Sequence, residues 1–118
     1  MTEERNTLGK IEISPLAVAT VASHAVQQSY GVVGMAARNM VDGIANTLLS
    51  DPRKGIDVRF EDGAVHIDLY VIVEYGTRIS AVARSAASAV RFNIEKDLGL
   101  PLGEINVHVQ GLRVSNTD

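Results

Sequence analysis

The chain has no cysteine, and that one absence removes disulfides, thiolate zinc sites and cysteine nucleophiles together. Aromatic residues make up only 4% of it, which leaves few rings for nucleic-acid bases to stack on. An excess of positive charge is missing too. Lys and Arg number 11 against 14 Asp and Glu, a formal net charge of −3, so there is no electrostatic footprint for phosphate. The N-terminus, Met1–Thr7, is polar with charges of both signs and lacks the apolar core of a signal peptide. From Ile13 to Ala37 there is no Asp, Glu, Lys or Arg at all. Pro15, His24, Gln27, Gln28 and Gly31 interrupt that stretch, however, and its apolar run falls short of the ~20 residues a membrane-crossing helix needs. No direct membrane span is expected, and the default location is the cytoplasm.

The signatures of catalysis are absent as well. There is no Gly-x-Ser-x-Gly elbow, no Gly-x-Gly-x-x-Gly and no phosphate loop. Ser23 and His24 are sequence neighbours that diverge around a helix instead of meeting. Asp57, Glu61 and Asp68 alternate along strands and read as surface charges, with no dry pocket expected to raise the pKa of one of them. His66, Asp68 and His108 could in principle bind zinc, but no tight ligand spacing supports it. The expectation is no catalytic, cofactor-binding or metal-binding residue, and no enzyme.

What is present is pattern. With 118 residues, 46% hydrophobic and 21% charged, the composition suits one ordinary globular domain. Ile56, Val58 and Phe60 alternate with Asp57, Arg59 and Glu61 ahead of Asp62-Gly63, and Val65, Ile67, Leu69, Val71 and Val73 alternate with polar positions beyond it, which spells a hairpin. Lys10–Ile13 reads as a short strand, and Ser14-Pro15 as the cap and first position of a helix running to about Tyr30 and closed by Gly31. Gly31–Met35 reads as a glycine-punctuated connector, and Val41, Ile44, Ala45, Leu48 and Leu49 as a short amphipathic helix. Thr77 is the expected cap of a second helix whose stripe is Ile79, Val82, Ala83, Ala86, Val90, Ile94 and Leu98, stopped by Gly99 and Pro101. Its opposite face offers Arg91 and Glu95 as an i,i+4 pair. A final strand alternates Ile105, Val107 and Val109 with Asn106, His108 and Gln110, and slips at Gly111 as a bulge would.

The expected fold is α+β, a two-layer sandwich in the order β-α-(short α)-β-β-α-β. Its mixed or antiparallel sheet has three to four strands, with two long helices on one face. Residues 1–8 are expected to be a flexible N-terminus, 9–114 the single domain and 115–118 a polar tail.

Two surfaces stand out. Thr20, Ser23, His24, Gln27 and Gln28 form an outer stripe of the first helix that is polar yet uncharged, where a solvated face ordinarily bears Lys, Glu and Arg. Such groups cost less to desolvate than charges, so Thr20, His24, Gln27 and Gln28 are candidate contact residues, joined by Tyr70 and Ile72 on the bare sheet face. The second surface is Gly31-Val32-Val33-Gly34, which satisfies the Gly-x-x-Gly pattern of the KH RNA-binding loop but has no Lys or Arg between its glycines. RNA binding is thus the alternative function.

Five short segments in order resemble one family: Gly9–Ser14, Gly31–Met35, Val73–Gly76 leading into Ile79, Ile94-Glu95 with Gly99-Leu100, and Ile105–Gly111. The chain is similar over about Gly9 to Val114 to the alkaline shock proteins, bacterial general-stress proteins. The resemblance implies a small non-enzymatic cytoplasmic protein of the cell-envelope stress response. It implies self-assembly and, through a membrane-anchored relative as partner, a place at the inner face of the membrane.

Overall fold

The computed structural model describes residues 2–6, 9–37 and 51–114. Its organising unit is the expected hairpin. Strands β4, Ile56–Glu61, and β5, Ala64–Glu74, pair antiparallel with Phe60 opposite Val65 and Ile56 opposite Leu69. Both turn residues have positive φ, Asp62 at 53° and Gly63 at 75°, the geometry whose twist matches the flanking strands.

Every other strand of the main sheet also pairs with β5. On one edge β4 holds its first half, while β3, Val32–Met35, holds its second half antiparallel, with Val32 opposite Val73. The other edge takes β6, Leu102–Arg113, in parallel register from Val65↔Leu102 to Glu74↔Arg113. A parallel neighbour requires a crossover, and helix α2, Ile79–Asp97, supplies it. The sheet is therefore mixed, in the class expected. Its register slips twice, between Val65 and Ile67, where Gly103 and Glu104 lie against the single residue His66, and between Val71 and Ile72, leaving Gln110 as the extra residue of a bulge beside Gly111.

Gly31–Met35 departs from expectation: the supposed connector is strand β3, because two valines and a methionine flank the one glycine that pairs into β5. Helix α1, Pro15–Gln27, starts where the sequence indicated, with Ser14 Oγ accepting from the Ala17 amide. It ends short of Tyr30. Ser29 turns its hydroxyl onto the Ala25 carbonyl and its amide onto the Val26 carbonyl, which closes the helix, and Gly31 at φ +89° makes the corner into β3. Thr77 is not the cap of α2. Its hydroxyl donates to the Glu74 carbonyl at 2.7 Å, and Arg78 stands at the cap with no side-chain bond. Arg91 donates to the Gly103 carbonyl at 2.9 Å, a contact across elements instead of the i,i+4 pair expected with Glu95.

Both helices cover one face. Val65, Ile67, Leu69, Val71 and Val73 point at them from β5 and meet Val18, Ala22, Ala25 and Val26 of α1 and Val82, Val90 and Ile94 of α2. Fully buried Ala22 and Ala86 leave the helices thin enough to lie side by side over a narrow sheet. They run antiparallel, since β3 reverses α1 and α2 reverses β5. Before them, strands β1, Thr2–Asn6, and β2, Gly9–Ile13, form a separate antiparallel hairpin. Lys10–Ile13 is thus a strand as expected, its partner an N-terminal strand the pattern did not disclose. The short helix expected around Val41 to Leu49 lies outside the described residues.

Candidate functional site

The outer face of α1 is exposed at Thr20, His24, Gln27 and Gln28, four of the named contact residues. Ser23, also expected there, is buried instead, because it shares a helical stripe with buried Ala19 and Val26, and its hydroxyl donates to the Thr20 carbonyl at 3.0 Å. The stripe satisfies much of its own polarity. Thr20 Oγ1 donates to the Leu16 carbonyl at 2.8 Å, and Gln27 Nε2 to the Ser23 carbonyl at 3.0 Å. Side chains that already bond their own helix lose less when water leaves than free amides or hydroxyls would.

The structure extends this face in ways that sequence reasoning missed. Tyr30 is 81% exposed just past α1, Leu16 is exposed in its first turn, and Phe92 is 62% exposed on α2. On α2, Ala81, Ser85 and Ser88 are exposed at the same helical stripe as Phe92. A shallow groove of about 250 Å³ lies between the helices, lined by Tyr30, Arg78, Ala81, Val82 and Ser85. The signal was available: the spacing of Ala81, Ser85, Ser88 and Phe92 opposes the apolar stripe, yet none of the four is charged.

The bare sheet face is a different surface. Asp68 Oδ1 accepts from Asn106 Nδ2 at 3.2 Å and meets His108 Nε2 at 3.0 Å, and Oδ2 accepts from Arg59 Nη2 at 3.3 Å. Arg59 also reaches Glu61 at 2.8 Å. The His108 ring stacks on Tyr70, centroids 4.6 Å apart. His66 Nδ1 accepts from the Glu104 amide at 3.1 Å, its ring lying over Gly103. Tyr70 is accordingly half-buried and bound into this network.

Ile72 does not belong to the exposed surface at all. It is 0% exposed, outside the core cluster beneath the helices, and Gln110 reaches from β6 to the Ala37 carbonyl at 3.4 Å beside it. Among the described residues, no three His, Asp or Glu side chains gather closely enough to hold a metal ion.

Burial would raise the Asp68 pKa, but hydrogen bonds from His108 and Asn106 and the Arg59 charge together outweigh it and hold the carboxyl below its ordinary value. A lowered folded-state pKa stabilises the fold above the unfolded pKa of ~3.9 and loses that contribution as pH falls through the folded value. Replacing Asp68 by Asn should cost about 1–3 kcal/mol near neutrality. Urea unfolding across the acid range should show the gap between Asp68→Asn and the parent narrowing below about pH 4. A gap independent of pH would mean that the network does not depend on the carboxylate.

Gly31 and Gly34 do not form the loop that the RNA reading requires. Val32 to Met35 are strand residues, with Val32, Gly34 and Met35 paired to β5 and Val33 the extra residue of a bulge, and a side chain added at Gly31 would strike Val82. The segment is therefore edge structure packed beside α2.

Fold and surface define a small two-layer α+β domain with an uncharged helix face and no assembled chemical centre among the described residues. Family comparison agrees with the sequence resemblance. Residues 3–114 match the model of the alkaline shock protein 23 family, described as having a cell envelope-related function, and the chain belongs to that family. It is similar to YloU of Bacillus subtilis, 40% identical over 116 residues and 97% of each chain. It is also similar to Spy1614 of Streptococcus pyogenes, 36% identical over 117 residues and 97% of each. Among solved structures, a variant of MamM CTD shares the fold, with a TM-score of 0.50 at 14% identity over 86% of this chain and 87% of that one. No helix among the described residues is long and apolar enough to cross a membrane.

Proposed function

We propose that the protein is a non-enzymatic interaction module of the cell envelope, acting by self-association or by docking to an envelope-associated partner such as a membrane-anchored relative. On this reading it sits at the inner face of the membrane through that partner. The observation that carries it is the helix layer. An exposed face free of Asp, Glu, Lys and Arg on α1, with its hydroxyl and amide groups turned onto its own backbone, carries exposed Leu16 and leads to exposed Tyr30, and α2 of the same layer exposes Phe92. Exposed rings on a layer whose α1 face is neutral and cheaply desolvated, with the cations Arg78 beside Tyr30 and Lys96 over Phe92 toward the margin, are a composition that suits an interface.

The reading is checked by placing a charge where the partner would lie. Gln27→Glu or His24→Glu should reduce recovery of the partner from native cells by about tenfold or more, with the fold retained and stability lowered by no more than about 1 kcal/mol. Equal recovery by both variants would remove α1 from the interface.

A further inference from the structure

We propose that the edge of β6 away from β5 is the seam of a symmetric dimer, in which two copies join their sheets antiparallel about a two-fold axis through His108. This goes beyond the helix-face reading and uses none of its residues.

Among the described residues β6 pairs only with β5, and no described strand lies beside its other edge. It is the longest strand in the sheet at 12 residues, with no proline or lysine to discourage edge pairing. A row of backbone donors and acceptors of that length is a template for another strand, and a second copy of the same strand gives a closed, isologous contact.

The register follows from three features of β6 itself. Ile105, Val107, Val109 and Leu112 belong to the helix-side core, while Asn106, His108, Gly111 and Arg113 pair with outward residues of β5, and Gln110 is the extra residue of the bulge. Antiparallel partners must point to the same face. Setting His108 opposite His108 of the second copy places Val107 opposite Val109. With Gln110 absorbed in the bulge, Asn106 then meets Gly111, Ile105 meets Leu112 and Glu104 meets Arg113. From Ile105 to Leu112 inward residues meet inward ones and outward meet outward, and exposed Glu104 lies at the strand's other register slip. The only fixed charges of the strand, Glu104 and Arg113, both exposed, fall opposite each other twice, once on each side of the axis.

Neighbouring features leave room for this. The Arg91 contact to the Gly103 carbonyl lies just outside the paired window. Toward the N-terminus of α2, the stripe continuing from Arg91 runs through Ala87, Arg84 and Ser80. Ala87 and Ser80 are small enough for a second helix layer to approach over the seam, and Arg84 is exposed on a long side chain that can turn aside.

The test is sedimentation equilibrium of the full chain and three variants. The parent should dimerise reversibly. Glu104→Arg alone and Arg113→Glu alone, which each turn two opposite-charge pairs into like-charge pairs, should weaken dimerisation by about tenfold. The double variant Glu104→Arg/Arg113→Glu should restore it, a recovery that general destabilisation cannot give. Because the chain has no cysteine, His108→Cys supplies a second readout: mild oxidation should link two copies through that position, and Asp97→Cys at the end of α2 should not. A parent that stays monomeric, single reversals without effect, or a double variant no better than either single would overturn the proposal. Failure of the helix-face variants above would leave it standing, since those residues lie on α1 and it is α2 that packs beside β6.

Discussion

Leu69→Ala is expected to remove about 2–5 kcal/mol of stability, a large share of the 5–15 kcal/mol typical of a domain. Leu69 is fully buried at the middle of β5, opposite Ile56 of β4 on one side and Val107 of β6 on the other, with the helices packed against its face. Its loss combines lost transfer energy with a cavity that the surrounding strands cannot collapse to fill, because each is fixed in register on its neighbour. Denaturant titration against the parent gives the value directly. A cost under about 1 kcal/mol would mean that the core relaxes far more than a close-packed interior does.

Gly31→Ala should be nearly as damaging, at about 2–4 kcal/mol, although it adds a single methyl group. At φ +89° a residue with a side chain is strained whatever its surroundings. Here the new Cβ would also stand 2.6 Å from Val82 Cγ2 and 3.4 Å from Val82 Cβ, so the Val82 side chain or α2 itself would have to move. Thermal melting separates this from the RNA reading of the same glycine. A structural corner predicts a lowered Tm with or without nucleic acid, whereas unchanged stability with lost RNA binding would reinstate the loop.

These two positions show what a sequence displays and what it conceals. Leu69 announced itself by alternation, because period two on both sides of Asp62-Gly63 leaves one folding solution, and the whole hairpin, both long helices and the bulge at Gly111 followed from such periodicities. Gly31 was legible as the end of a helix, yet its meeting with Val82 was not, since it depends on where α2 returns over the sheet. The same limit explains β3. Val32, Val33 and Met35 are too few to display alternation, and only pairing to the distant half of β5 makes them a strand. Ile72 misled for a related reason: its polar neighbours in the alternation placed it on the wet face, but cover over one end of that face comes from tertiary placement. The candidate contact face was readable from missing charge on α1. Its aromatic members Tyr30 and Phe92 were hidden because a lone exposed ring has no periodic signature.

Among the described residues β3, β4 and β6 each pair with β5 and none pairs with another. A sheet wired like a wheel to one spoke-bearing axle cannot open at its middle without opening throughout. Peeling an outer strand forfeits its own bonds, and disturbing the axle forfeits all of them. Control of such a protein has little to act on inside the domain. It has to act on supply and encounter: how many copies are made, and which surfaces they find.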